Sequence, residues 1–141
     1  MAKIGLDELA DAYKRVRRSI ARNMEDAADF DNQPIFDALD KNQTIVDAAF
    51  FVLIFGQLEN RINALAQQKI SDSKQRQALR EGKFEKRLEI ALRNQSDLRM
   101  EIEGWYRVRN DAAHGESIAS GYEIEAVLER AREIEKLLGG G

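Results

Sequence analysis

The chain contains no cysteine, a single proline and a single histidine among its 141 residues. Without cysteine there is no disulfide framework, no thiolate nucleophile and no zinc–thiolate site. Few helix breakers and many Ala, Leu, Glu, Arg and Lys residues favour helix over the whole length. We therefore expect an all-α protein, and the absence of cysteine fits a cytoplasmic location.

Long hydrophobic runs are also missing. The longest apolar stretch, Ala48–Phe55, has eight residues and is too short to cross a bilayer. The first residues, Met1–Ala12, lack the apolar segment of a secretory signal peptide. We expect a soluble cytoplasmic protein with no membrane partner.

The chain has no excess of positive charge, because 25 acidic residues outnumber 22 basic ones and the net charge is −3. A protein that coats nucleic acid without sequence preference is usually basic, so this class is disfavoured. A local basic site is still allowed. Two basic runs, Lys14–Arg22 and Arg76–Arg87, are most simply solvated helix faces, but either would guide an RNA backbone if it flanked a cleft.

Apolar residues recur at helical spacing almost everywhere, and no strand pattern competes. The length fits one domain, residues 1–141, and the helices with their short loops predict an up-and-down antiparallel bundle of four to five helices. We expect the closing glycines Gly139–Gly141 to be disordered. The predicted helices are Leu6–Phe30, a short turn from Pro34 to Leu39, a helix capped by Thr44 and ending near Ile70, Lys74–Arg93 with a weak point at Gly82, Asp97–Ala113, and Tyr122–Leu138.

Two of these helices should contribute most to the core. The stretch Ala48–Phe55 is apolar on nearly all helix faces, which is typical of a buried helix. In the helix Asp97–Ala113, Trp105, Val108 and Ala112 continue a regular apolar stripe and are expected in the core.

The most informative segment, Trp105–Gly115, holds the only tryptophan and the only histidine. It contains Arg109, then Asn110, three further residues and His114. This pattern resembles the signature of the HEPN (higher eukaryotes and prokaryotes nucleotide-binding) family: an Arg, usually a polar residue, a short spacer and a His. The resemblance covers roughly residues 45–138, and it implies an up-and-down helical bundle with the motif near a helix end.

The resemblance implies a metal-independent endoribonuclease that cleaves RNA by attack of the 2′-hydroxyl on the adjacent phosphate, in a toxin, defence or stress-response system. Catalytic roles would fall to three residues. His114 would be the general acid or base, since histidine changes protonation near neutral pH. Arg109 would stabilise phosphate charge with its planar fork, and Asn110 would orient the histidine or a phosphate.

No metal or cofactor is required by this chemistry, and we expect none. The spacing from Asp111 to His114 imitates the carboxylate-x-x-His pair of di-iron bundles, but such sites need two pairs and the chain has one histidine. No glycine-rich phosphate loop of the usual patterns occurs either.

Helix geometry suggests that the site is shared between two subunits. Five residues place Arg109 and His114 about 140° apart on an ideal helix, so one helix does not present both to one point. A two-fold dimer with facing helix ends would bring two of each together, and the family is known for such composite sites. Tyr106 and Arg107 lie off the apolar stripe and are candidate RNA-binding residues.

The expected partners are an RNA substrate, a second copy of the chain, and a regulator such as a nucleotidyltransferase-type antitoxin. Some antitoxin-controlled members of the family carry a tyrosine two positions after the histidine. Here that position is Glu116, which puts this form of control in doubt.

Two other interpretations stay open. His114 followed by Gly115 also makes a sound helix C-cap, with no chemical role. The whole chain would then be a noncatalytic HEPN-like module for dimerisation, protein interaction or nucleotide sensing.

Overall fold

The computed structural model describes residues 4–139, and every regular element in this range is helical. The expectation of an all-α protein is confirmed, with six helices in this range where we predicted four to five. Gly139 lies in a turn after the last helix, whereas Gly140 and Gly141 of the predicted tail lie outside the described residues. The helices are α1 (Leu6–Asp29), α2 (Gln33–Gln68), α3 (Ser73–Glu81), α4 (Phe84–Ala91), α5 (Ser96–Ala113) and α6 (Ile124–Leu137).

Helix α2 is continuous over 36 residues, so the prediction of a short turn followed by a separate helix is wrong. Asn32 caps it by accepting a hydrogen bond from the backbone N–H of Ile35 at 3.4 Å, and Pro34 occupies the first turn, where its missing N–H is tolerated. Thr44 is not a cap. Its hydroxyl donates to the carbonyl of Asp40 at 3.3 Å, a bond made inside the helix.

The predicted helix Lys74–Arg93 is divided at its weak point into α3 and α4. Gly82 takes an extended conformation there, with φ −86° and ψ −174°. Asp72 caps the start of α3, because its side chain accepts from the backbone N–H of Lys74 at 3.4 Å.

The core is built around the second half of α2, as predicted. Phe51, Ile54, Phe55, Leu58 and Ile62 of this helix are fully buried. The other helices pack their apolar stripes against it. Of the predicted core residues of α5, Trp105 and Val108 are buried and Ala112 is half-buried.

Contacts along α2 give the order of its neighbours. The ring of Phe51 lies 6.0 Å from Trp105 of α5 and 5.8 Å from Tyr122, just before α6. At the other end of α2, the ammonium of Lys69 donates to the carbonyl of Ala91, the last residue of α4, at 2.8 Å. α5 therefore begins near the end of α2 and returns along it to Phe51.

Within residues 4–139, the part of α2 up to residue 44 has only α1 beside it. No residue of α2 before Phe51 is buried, and after Tyr13 α1 buries only Ala27. Glu125, near the start of α6, pairs with Arg17 at 2.7 Å and marks where the other helices stop. Residues 18–44 thus form a two-helix projection, which we call the α1–α2 extension.

One face of the apolar stretch in α2 is open to solvent, contrary to the expected all-round burial. Ile45 is 66% exposed and Leu53 51% exposed, and Ala49 between them is exposed as well. Apart from its chain neighbours and the backbone of its own helix, no atom of the described residues lies within 4 Å of a Cβ added to Gly56. We call Ile45, Ala49, Leu53 and Gly56 the open face of α2.

Within residues 4–139, no helix is both long enough and apolar enough to span a membrane.

Candidate functional site

The segment with Arg109, Asn110 and His114 forms the C-terminal end of α5. His114 is the C-cap residue, and its backbone N–H donates to the carbonyls of Asn110 and Asp111, both at 3.1 Å. Gly115 follows with φ +87°, a conformation that favours glycine. The N–H groups of Gly115 and Glu116 donate back to the last turn of the helix at 3.1 and 3.0 Å, completing a Schellman motif.

The side chain of His114 is exposed. It makes no hydrogen bond or ion pair with any residue of the described range 4–139, so both ring nitrogens are open to a ligand. The capping role of His114 is confirmed by the backbone bonds. A capping residue with a free imidazole is compatible with a chemical role, which stays a prediction.

Arg109 and Asn110 are half-buried and hydrogen-bonded to each other, with Arg109 Nη1 donating to Asn110 Oδ1 at 3.1 Å. Arg109 follows the buried Trp105 by four residues and Ile102 by seven, so it lies on the face of α5 that packs on α2. The structure therefore joins the arginine to the asparagine, and not to the histidine. Asn110, expected to orient His114 or a phosphate, instead accepts from the arginine through its amide oxygen.

The two candidate RNA-binding residues differ in their surroundings. Tyr106 packs on Phe84 with a centroid distance of 4.8 Å and on Phe55 at 5.8 Å, as part of an aromatic cluster at the edge of the core. Arg107 is exposed and free to meet a ligand. The aromatic cluster gives Tyr106 a structural role that the sequence pattern did not reveal.

The two basic runs differ in the contacts that their side chains make. In the second run, Arg76 donates to the carbonyl of Ile70, and Arg87 donates to Gly82 O at 2.6 Å, so both stabilise the chain around α3. In the first run, Arg17 pairs with Glu125. The remaining basic residues of both runs are exposed.

The open face of α2 is the feature that sequence analysis missed. Because α5 returns along α2, Arg109 lies about one helical turn beyond Phe51, towards the N-terminus of α2. α4 begins at Phe84, which contacts Phe55 and Tyr106. From there it runs towards Lys69 at the C-terminal end of α2, so it does not cover the part of α2 beside Arg109. Near Arg109, α5 is thus separated from the open face only by the half-buried α2 residues Ala48 and Val52.

A signal for the open face was present in the sequence. The positions that share this face from Asn42 to Ala64 carry no charged side chain, although one third of the whole chain is charged. Burial by the other helices and burial by a partner leave the same uncharged pattern in a sequence, so the pattern alone does not separate them.

Residues 4–139 contain no group of three or more His, Cys, Asp or Glu side chains placed to hold a metal ion. Comparison with protein-family models, with curated proteins and with solved structures gave no match.

Proposed function

We propose that this chain is a HEPN-like, up-and-down helical bundle that acts as a metal-independent endoribonuclease. The observation that carries the proposal is the geometry at the end of α5. A free, exposed histidine lies one helical turn beyond an arginine–asparagine pair, on a helix end fixed by a Schellman motif.

The proposed chemistry needs two contributions. His114 moves a proton, either taking it from the RNA 2′-hydroxyl or giving it to the leaving 5′-oxygen, which is worth on the order of 10²–10⁴-fold in rate. Arg109 meets the charge that grows on the phosphoryl oxygens with a cation that does not titrate. Asn110 holds the guanidinium and, with Arg107, completes the RNA-facing edge of α5. Tyr106, packed against Phe84, contributes mainly by positioning that edge.

We further propose that the active species is a homodimer formed through the open face of α2. An uncharged helix face with Ile45 and Leu53 more than half exposed is costly to leave in water and suits a self-complementary contact. Since this face begins beside Arg109, a second copy on it would bring its own α5 end close. His114 of one subunit would then face Arg109 of the other. The two side chains could meet in this way although they point about 140° apart on one helix.

The noncatalytic alternative also has an observation in its favour. The backbone of His114 already fulfils a structural task, and the open face of α2 would serve a dimerisation module without any chemistry. The two proposals differ in one consequence: only the nuclease requires the imidazole itself.

The test is incubation of the purified protein with total RNA in EDTA. The nuclease should cleave RNA under these conditions and leave 2′,3′-cyclic phosphate ends, while His114→Ala and Arg109→Ala should not. Arg80→Ala, which removes an exposed arginine of α3, is the matched control and should cleave like the wild type. Intact RNA with the wild type, or cleavage restored only by Mg²⁺ or Mn²⁺, would contradict the proposed mechanism.

Sharing of the site is tested by mixing. Arg109→Ala subunits and His114→Ala subunits, each inactive alone, should regain activity together if one subunit supplies the arginine and the other the histidine. A fully active monomer at micromolar concentration would contradict the shared site but leave the nuclease chemistry in place.

A further inference from the structure

A groove of about 740 Å³ lies between α3 and α4, beside the C-terminal end of α2 and at the opposite end of α5 from Arg109 and His114. Its size is that of pockets for small molecules. The floor is aliphatic, and among residues 4–139 the rim carries cations and amides but no carboxylate. The floor consists of Ile70, Ala78, Leu79 and Ile90, and the rim of Lys69, Lys86, Arg93, Gln75 and Asn94.

Each of the three cations keeps N–H groups for a ligand, including Lys69, whose ammonium has three N–H groups and donates to the carbonyl of Ala91. Lys86, Ile90 and Arg93 follow each other at helical spacing from α4 onward, so they line one wall. Arg93 is exposed and makes no ion pair within residues 4–139, and Lys86 has only a loose contact of 3.8 Å with Glu89. In a chain with more acidic than basic residues, a concave surface with three cations on its rim favours an anion.

The walls of the groove are held in place by bonds that leave its interior free. Arg87 donates to the carbonyls of Leu79 at 3.1 Å and Gly82 at 2.6 Å, and so ties α4 to the end of α3. It also donates to Asn63 Oδ1 of α2 at 2.6 Å. Lys69 fixes the far end through the carbonyl of Ala91 at 2.8 Å. Because contacts from three helices already fix the shape of the groove, binding of a ligand costs little conformational entropy.

We propose that this groove binds a small amphipathic anion, with an aliphatic body and one carboxylate or phosphate group. The body lies on Ile70, Leu79 and Ile90, and the anionic group meets Arg93 and Lys69 at the end of α4. No aromatic side chain of the described residues lines the groove, so it offers no stacking surface for a nucleobase and suits an alkyl chain. The proposal does not depend on the nuclease, because it uses none of the α5 residues.

The experiment is a titration of the ¹⁵N-labelled protein followed by amide chemical shifts. Decanoate and decyl phosphate are the two probes, decyltrimethylammonium carries the same chain with the opposite charge, and inorganic phosphate lacks the chain. At least one of the two probes should shift the amides of Ile70, Ala78, Leu79 and Ile90 in a saturable way, and the stronger of them identifies the head group. Equal shifts from the cationic analogue, equal binding of phosphate alone, or no saturable shift with either probe would overturn the proposal.

The variants Arg93→Glu and Arg80→Glu sharpen the test. Both reverse the charge of one exposed arginine in this region, but only Arg93 lines the groove. Arg93→Glu should weaken binding by about tenfold, the effect of turning one exposed charge from attraction to repulsion, whereas Arg80→Glu should bind like the wild type. Equal loss in both variants would show a nonspecific charge effect and overturn the assignment of the site.

Discussion

Arg109 and Asn110 are neighbours in the chain and are joined side chain to side chain, Nη1 to Oδ1 at 3.1 Å. Consecutive residues of a helix point about 100° apart, so the bond exists only because the long arginine side chain turns towards the asparagine. The guanidinium is thereby held against Asn110 at the exposed end of α5. It keeps further N–H groups for a phosphate.

We predict that Asn110→Ala lowers RNA cleavage by about tenfold, the equivalent of one hydrogen bond to a charged group, and that Arg109→Ala lowers it more. Measured cleavage rates on one RNA substrate give both numbers. Asn110→Asp keeps the acceptor but adds a negative charge beside the guanidinium, so it should weaken RNA binding. Wild-type rates for Asn110→Ala would leave the bond without a role in activity.

His114→Ala should separate chemistry from folding. The C-cap bonds of this residue come from its backbone, which alanine retains, so the melting temperature should stay near that of the wild type. Cleavage should fall by about 10²–10⁴-fold with loss of the general acid or base. Trp105→Ala is the contrasting variant. Trp105 is buried against Phe51, and its truncation should cost about 3–5 kcal/mol of stability. If His114→Ala unfolds as Trp105→Ala does, His114 is structural and the catalytic assignment fails.

A charge placed on the open face of α2 should prevent dimerisation. Ile45→Glu and Leu53→Glu are expected to give monomers by sedimentation or light scattering and to lose RNA cleavage, while their helical signal is unchanged. The matched control is Ile35→Glu. Ile35 is an isoleucine of the same helix, also half exposed at 50%, but it lies in the α1–α2 extension. A dimer that persists in Ile45→Glu and Leu53→Glu would place the interface elsewhere.

Tyr13 should make stability depend on alkaline pH. Burial and the hydrogen bond with Asp47, at 2.7 Å, raise the pKa of Tyr13 above its ordinary value of 10.0. The folded state then holds the proton more tightly than the unfolded state, so this contribution is complete below pH 10.0 and is lost as the pH rises above it. Urea unfolding of the wild type should show the loss, and Tyr13→Phe should show less of it. At neutral pH, Tyr13→Phe should cost about 0.5–1.5 kcal/mol. An equal alkaline loss in both proteins would assign the effect to other groups.

Local signals predicted most of the helices. The periodic stripes placed α1, α5 and α6 to within two residues at each end, because the apolar side of each is set by its contact with the core. The break between α1 and α2 lies where the sequence predicted it, between a first helix ending at Phe30 and a helical turn beginning at Pro34. The division at Gly82 was visible as a weak point, since glycine has little preference for helix.

The predictions failed where contacts between residues distant in the sequence determine the structure. Thr44 looks like a cap in isolation, but α1 packs alongside and the helix continues through it. Apolar residues recur through the second half of α1 as they do through the first, yet after Tyr13 only Ala27 is buried, because the residues beyond Arg17 have only α2 beside them in the described chain. At the candidate site, the motif located Arg109, Asn110 and His114, but the bond between the first two depends on side-chain conformations that spacing does not determine.

The α1–α2 extension means that the folded chain does not have one stability throughout. Its two helices are held by each other alone within residues 4–139, and Phe30 at the tip is 84% exposed, so the free energy needed to open them is a fraction of that for the core around Phe51. Amide protons of residues 18–44 should therefore exchange with solvent long before those of α5. Helix α2 thus has an N-terminal part that opens without the core and a C-terminal part that opens only with it. The open face begins where the first part ends, at Ile45, and continues into the second as far as Gly56.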